Sequence, residues 1–286
     1  MIILKERLTV TIDSNVLERI DKIIDGHTIK NRSHAFELLL KKAMSQDMPK
    51  KAVILCGGKG TRLRPLTYEI PKALIPIHGK TLTEHLFDLF KRYGIIDIVM
   101  AVGHMREKII EYYGNGEKFG VNITYIIEDE PLGTAGGLLK AKKMFHETFF
   151  VTNGDELKDI DLEEMYKLHK KENASATIAL TTVEDPSQYG VARLSGNKIQ
   201  EFVEKPKKEN APSNLINSGF YIIEPKVIDM IPKGFAMLEK DIFPKLAKEN
   251  KLHGYPFSGQ WFDTGNMERY DTAIKLWKGI SPKKGD

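Results

Sequence analysis

One cysteine, Cys56, stands in a chain of 286 residues, so no internal disulfide can form and a reducing setting such as the cytoplasm is expected. No apolar run approaches the roughly 18 residues of a membrane-spanning helix. The opening MIILKERLTV turns charged too early for a secretory signal, so neither membrane insertion nor export is expected. The eight histidines share no zinc-like spacing with one another or with Cys56, which leaves no transition-metal site to expect. Internal repeats and low-complexity runs are also missing. So are two common phosphate loops: no Gly-Lys-Ser/Thr follows four spacer residues after a glycine, and no third glycine near Leu63 completes a dinucleotide fingerprint.

What the chain does have is the segment LCGGKGTRLRPLTYEIPKAL, from Leu55 to Leu74. The apolar strand Ala52–Leu55 runs into a glycine turn that arginines and a lysine follow at once. Gly57, Gly58 and Gly60 carry no Cβ and can take positive φ, so successive backbone N–H groups can converge on phosphate oxygens. Arg62 and Lys72 add mobile positive charge. Cys56 lies inside this loop, where a redox sensor and a small residue closing a strand are both conceivable readings.

The character of the chain changes near Met48-Pro49-Lys50. Before it, Leu8, Val10 and Ile12 alternate with Arg7, Thr9 and Thr11, the period of a half-buried strand. Ser14 is expected to cap a helix carrying Val16, Leu17, Ile20, Ile23 and Ile24, with Gly26 ending it. Ser33 is expected to cap a second, carrying Ala35, Phe36, Leu38, Leu39 and Ala43. One strand and two helices cannot complete a sheet or a core alone, so residues 1–47 must pair with something, most simply a second copy. The layout resembles a ribbon-helix-helix module, which implies a homodimer and, by that family's geometry, groove-facing Arg7, Thr9 and Thr11. Residues 1–50 carry nine Lys/Arg against seven Asp/Glu, the remainder 34 against 32, so basic charge is not concentrated in the module. A dimerisation clip and a DNA contact both stay open.

From Lys51 onward strands alternate with helices. Strands are expected at Ala52–Leu55, Asp97–Val102, Asn122–Ile127 and Phe149–Thr152, then at Ser175–Thr182, Tyr189–Leu194, Lys198–Val203 and Ile216–Ile223. Leu86, Leu89, Phe90 and Tyr93 recur at helical spacing before Gly94, and a last helix begins near Asn266. The pattern is α/β, with a Rossmann-like mixed sheet that is mostly parallel, over residues 51–286. Ligands of such sheets sit beyond the carboxyl ends of strands, where the glycine loop and Asn153-Gly154-Asp155 both fall.

The string Gly-Gly-x-Gly-Thr-Arg-Leu-x-Pro-Leu-Thr from Gly57, with Pro71-Lys72 after it, resembles the sugar-1-phosphate nucleotidyltransferases. Further blocks match in order over nearly all of residues 51–270. The resemblance implies an NTP site built from Leu55, Gly57, Gly58, Gly60, Thr61 and Arg62 with Glu128, Gly133 and Thr134. It implies a sugar-phosphate site of Gly154, Gly190, Glu204, Lys205 and Asn217, and a catalytic Mg²⁺ on Asp155 and Asp263. Two carboxylates suit Mg²⁺, which takes one or two of them plus phosphate oxygens. Arg62, Lys72, Asp155, Lys205 and Asp263 are then the catalytic set, and the reaction is an in-line displacement at the α-phosphorus with no protein nucleophile.

In that family the position of Glu128, five before Gly133, reads the base edge. A carboxylate only accepts, and guanine offers two adjacent donors, N1–H and N2–H₂, so GTP is favoured. Blocks such as EPLGTAG and FVEKP look most like mannose-1-phosphate guanylyltransferases, which makes mannose-1-phosphate the favoured acceptor. Glucose- or heptose-1-phosphate with UTP, dTTP or GTP is the alternative, and a DNA-binding regulator sensing a nucleotide sugar is a second. The C-terminal left-handed β-helix that many such enzymes carry is not expected within these 286 residues, and the N-terminal module departs from their usual pattern.

Overall fold

The computed structural model describes residues 9–24, 26, 29–44 and 48–282, and the chain divides into two units, Met1–Met48 and Pro49–Pro282. In the first, helices α1 (Ser14–Asp21) and α2 (Arg32–Met44) are present. Their caps differ from the expected serines. Asp13 caps α1 by accepting from the Asn15 N–H at 2.8 Å, and Asn31 accepts from the His34 N–H at 2.9 Å. Both are Asx residues one or two positions upstream, and both offer the better N-cap acceptor. Helix α1 stops at Asp21, so Gly26, at φ 76°, lies in the connection and not at the helix end. Arg32 grips Asp21 with two hydrogen bonds of 2.7 Å, tying the start of α2 to the end of α1. Ile20 and Ala35 are buried, whereas Val10, Val16, Leu38, Leu39 and Leu40 are exposed. Residues 9–13 form no ladder within the single chain, and Arg7 and Leu8 of the expected ribbon lie outside the described residues.

In the second unit the elements are, in order, β1 (Lys51–Cys56), α3 (Leu66–Glu69), β2 (Pro76–Ile77), β3 (Lys80–Thr81), α4 (Leu82–Arg92), β4 (Asp97–Val102), α5 (Arg106–Tyr113), β5 (Asn122–Ile127), α6 (Gly133–Lys140) and β6 (Phe149–Asn153). There follow β7 (Glu156–Lys158), α7 (Leu162–Lys171), β8 (Ala176–Thr182), β9 (Gly190–Ser195), β10 (Lys198–Glu204), β11 (Leu215–Ile223), α8 (Phe243–Lys248), β12 (Leu252–Pro256), β13 (Trp261–Asp263) and α9 (Met267–Leu276).

Nine strands make one sheet in the order β5-β4-β1-β6-β11-β8-β12-β10-β9. Strands β5, β4, β1 and β6 run parallel, as do β8 and β12. Every other neighbouring pair is antiparallel, so the expectation of a mostly parallel sheet holds only for the first half. The apolar run of β1 follows from its central place, since a strand covered on both faces needs no polar alternation. Edge strand β5 does alternate. Both neighbours of β1 are parallel to it, and the chain builds outward through β4 and β5 before returning to β6 on the other side. The carboxyl ends of β1 and β6 therefore flank a topological switch point, where a crevice opens.

Two of the apolar clusters among the described residues of this unit bear on the site. The larger joins Val53, Val151, Ile178, Tyr221 and Phe243 across the sheet to the helices. The smaller collects Leu63, Ile75, Leu82, Leu157, Ala273 and Trp277, so the segment after the glycine loop is packed against α9. Strands β7 and β13 form a separate antiparallel pair whose register sets Asp263 opposite Glu156.

Candidate active site

The glycine loop leaves β1 at the switch point. Gly60 has φ 61°, and its carbonyl accepts from Thr67 Oγ1 at 2.7 Å and from the Leu63 N–H at 2.9 Å. A Cβ there would lie 2.8 Å from Thr67 Cγ2, so glycine is required twice over. A Cβ on Gly57 would lie 2.8 Å from Glu128 Oε2, whereas Gly58 faces open space. Cys56 is buried and its thiol is pushed up to about 12 by that burial, so it closes the strand as a neutral group.

A cleft of about 320 Å³ opens beside this loop. It brings together Leu55, Gly57, Gly58, Lys72, Glu128, Gly133, Thr134, Gly154 and Asp155 from the expected site, with Pro131, Leu132, Phe235 and Met237 as apolar wall. Glu128 is 7 % exposed, and burial raises its carboxyl above the ordinary range, opposed by a backbone hydrogen bond at Leu132. A Cβ on Gly137 would lie 2.5 Å from its Oε1, so glycines on two elements make room for this one carboxylate.

Outside the cleft lining fall Gly60, Thr61, Arg62, Gly190, Glu204, Lys205, Asn217 and Asp263. Arg62 is exposed and has no hydrogen-bond or ion-pair partner among the described residues, and its Nη2 lies 3.1 Å from where a Cβ on Gly265 would be. The guanidinium thus stands next to the loop that follows Asp263.

Strand pairing brings the segments that carry the two carboxylates side by side. Asp155 precedes β7, Asp263 ends β13, and the Asp155 carbonyl accepts from Thr264 Oγ1 at 2.7 Å. Lys72 pairs with Asp155. Burial pushes the Asp155 carboxyl up, but the Lys72 ammonium, together with Lys158 and a backbone hydrogen bond, outweighs it and holds the group below the usual range. Asp263 Oδ2 accepts from Arg269 and, at 3.2 Å, from Tyr189 Oη. Both groups are hard oxygen donors, and Asp155 lines the cleft, so the pair suits Mg²⁺. Among the described residues no group of three metal-ligating side chains exists, so phosphate oxygens and water would have to complete the shell.

Beneath them lies a buried frame that sequence reasoning missed. Lys158 Nζ, with its side chain fully buried, donates to Glu156 Oε2 at 3.0 Å, to the Ser218 and Gly219 carbonyls at 2.8 and 3.0 Å, and to Thr152 Oγ1 at 3.2 Å. Glu156 also accepts from Asn153 Nδ2 at 3.1 Å and Trp261 Nε1 at 3.0 Å. Burial pushes Glu156 up to about 7 and pulls Lys158 down from its ordinary value. Glu-Leu-Lys-Asp after a glycine turn reads locally as a solvated loop, so nothing short-range signals this role.

On the opposite side, Gly190 pairs with Glu204 across β9 and β10, and a Cβ on Gly190 would lie 2.5 Å from Phe202 Cζ. Burial raises the Glu204 carboxyl. Lys205 takes φ 49°, its N–H donates to the Tyr189 carbonyl at 2.9 Å, and its exposed ammonium stays 3.8 Å from Glu204. Asn217 accepts from the Gly219 N–H and donates to Tyr221 Oη, both at 2.9 Å. Tyr221 donates to Glu239 Oε1 at 3.1 Å, and Thr134 Oγ1 donates to Glu239 Oε2 at 2.6 Å. A buried hydrogen-bond chain thus joins the cleft loop at Thr134 to Asn217.

With this geometry in hand, residues 51–278 match the family model described as nucleotidyl transferase. A mannose-1-phosphate guanyltransferase of Yarrowia lipolytica is 41% identical over 82% of this chain and 66% of its own length. A UTP–glucose-1-phosphate uridylyltransferase of Synechocystis is 43% identical over 79% of this chain and 62% of its own length. The chain thus spans a little under two thirds of the curated relatives it matches. Among solved structures, a putative glucose-1-phosphate thymidylyltransferase from Bacillus anthracis in complex with a sucrose superposes with a TM-score of 0.73 at 29% identity, covering 81% of this chain and 96% of that one.

Proposed function

This chain belongs to the nucleotidyl transferase family, and we propose that it transfers a nucleoside monophosphate from an NTP to a sugar-1-phosphate, releasing pyrophosphate, with GTP and mannose-1-phosphate the favoured pair. The observation that carries the reading is the union, in one cleft, of the glycine loop, Lys72, Asp155 and the buried Glu128. A sugar-phosphate oxygen attacks the α-phosphorus, the bond to the pyrophosphate oxygen breaks, and negative charge moves onto the departing group. Backbone N–H groups of Gly57 and Gly58 receive phosphate oxygens, and the Arg62 guanidinium, without a partner among the described residues, takes up charge on the leaving side. Lys72 holds the attacking phosphate near the α-phosphate, with Lys205 reaching in from the sugar side. Mg²⁺, held by Asp155 and Asp263, would neutralise phosphate charge and so make the α-phosphorus open to attack.

Base choice rests on Glu128. Its buried carboxylate accepts without donating, and guanine's N1–H and N2–H₂ supply two donors side by side. Uridylyl transfer to glucose-1-phosphate is the second reading, favoured by the 43% identical relative. Pyrophosphate release across GTP, UTP, dTTP and ATP against mannose-, glucose- and heptose-1-phosphate separates the two. Glu128→Gln is expected to lower kcat/KM for GTP by about tenfold or more relative to UTP, since the amide replaces one acceptor by a donor. Nucleotide ratios identical to wild type would remove Glu128 from base recognition.

For residues 1–47 the proposed partner is a second copy. Val10 and the Leu38–Leu40 side chains are exposed on two short helices and an unpaired segment too small to enclose them. A cytoplasmic location accords with the single, buried thiol. Light scattering should report a dimer for the whole chain and a monomer for residues 51–286, with turnover retained by the fragment. A dimeric fragment would remove the clip. Duplex DNA binding that Thr9→Ala weakens would instead favour the regulator.

A further inference from the structure

Phe235 is an aromatic side chain with no aromatic partner among the described residues. It is 64 % exposed, more than any other large apolar residue among the described ones, and it makes no ring contact among them. Its backbone is nonetheless fixed. The Ala236 N–H donates to the Leu132 carbonyl at 3.0 Å, and the Ala135 N–H donates to the Ala236 carbonyl at 2.9 Å. Two glycines let the segments approach this closely: Gly133 has φ 72°, and a Cβ on Gly136 would lie 2.5 Å from the Gly234 carbonyl oxygen. The ring is held 3.4 Å from the Cβ position of Gly133, in the loop that follows Glu128. An exposed ring on a clamped backbone at the mouth of a cleft is held in place at its Cα without burying its faces, so its apolar surface is free for a ligand.

From this we infer that Phe235 is the stacking platform for the nucleobase, the apolar counterpart of Glu128. The cleft that Phe235 lines contains the glycine loop, Glu128 and Gly133-Thr134, and none of Gly190, Glu204 or Asn217 on the sugar side. Glu128 offers acceptors for the base edge, and a flat base so held presents a face to an apolar wall, which Phe235 and Met237 supply. Stacking gains with ring area, so the platform favours a purine over a pyrimidine and adds to the selection at Glu128.

This assignment rests on the proposed transferase reading, and two measurements keep them apart. Phe235→Ala should raise KM for GTP about tenfold while kcat at saturating GTP and KM for the sugar phosphate change far less. The loss should be larger for GTP than for UTP. Phe235→Trp should retain a KM for GTP near that of wild type, and its fluorescence, read as the difference from wild type because Trp261 and Trp277 are also present, should change saturably with GTP. Inorganic tripolyphosphate and mannose-1-phosphate, neither of which carries a base, should leave it unchanged. An unaltered KM for GTP in Phe235→Ala, or a Phe235→Trp signal that follows tripolyphosphate or mannose-1-phosphate as strongly as GTP, overturns the platform. If wild type releases no pyrophosphate from any NTP and sugar-phosphate pair, the transferase reading falls by itself. A GTP-dependent signal in Phe235→Trp would then still uphold the platform, and its absence would overturn it.

Discussion

Asp263→Asn is expected to lower turnover by a hundredfold or more, on the order of 3 kcal/mol or above in activation free energy, while the protein stays folded. Asparagine keeps the shape and can still accept from Tyr189 and Arg269, so the loss isolates the charge. Asp155→Asn should behave alike, with Lys72 deprived of its ion-pair partner. The two variants together should cost little more than either alone, because two ligands of one ion act as a unit. Steady-state pyrophosphate release over a range of Mg²⁺ concentrations, with thermal denaturation as the control for folding, checks this. Near-normal turnover in Asp263→Asn would end the assignment.

Lys158→Met should be the most destabilising single change in the site. It removes the cation paired with Glu156, which accepts three hydrogen bonds, and it takes one donor from each of the carbonyls of Ser218 and Gly219. Breaking one side of a buried ion pair costs about 3–5 kcal/mol. For a domain of this size that is a fall in Tm on the order of 10 °C. Glu156, already pushed up to about 7 by burial, should then bind a proton at neutral pH and so limit the damage. Adding Glu156→Gln should restore part of the loss, since a neutral amide needs no counter-charge. Equal Tm values for wild type and Lys158→Met would mean that the frame carries no stability.

Much of the architecture is local in origin and was legible. The unbroken apolar runs of β1 and β4, the terminating Gly94 and the start of α9 near Asn266 are properties of short segments, and the mixed α/β nucleotidyltransferase fold follows from their order. Helices α5, α6 and α7 are not placed by the sequence, nor are several elements too short or too unusual in composition to carry a period. Strands β7 and β13 have three residues each, and β12 contains a glycine and a proline. The helix caps of the first unit differ from the serines the sequence suggests because Asp13 and Asn31 compete with them for the same N–H groups.

The sequence by itself determined where the backbone must turn after β1, since glycine at position 60 tolerates both the left-handed φ and the contact with Thr67, and it determined which charges are available. Tertiary structure decided which charges face one another. Arg269 on Asp263, Lys158 inside the frame and Trp261 on Glu156, 105 residues apart, all depend on the β7–β13 register and on the docking of α9. Likewise, only the packing of β5 and α6 beside the glycine loop buries Glu128, and only two backbone hydrogen bonds to Ala236 hold Phe235 at the cleft mouth. The physical reason is range: a turn's conformation is set within a few residues, whereas a side chain's partner is set by strand pairing and helix docking between segments that local pattern cannot relate.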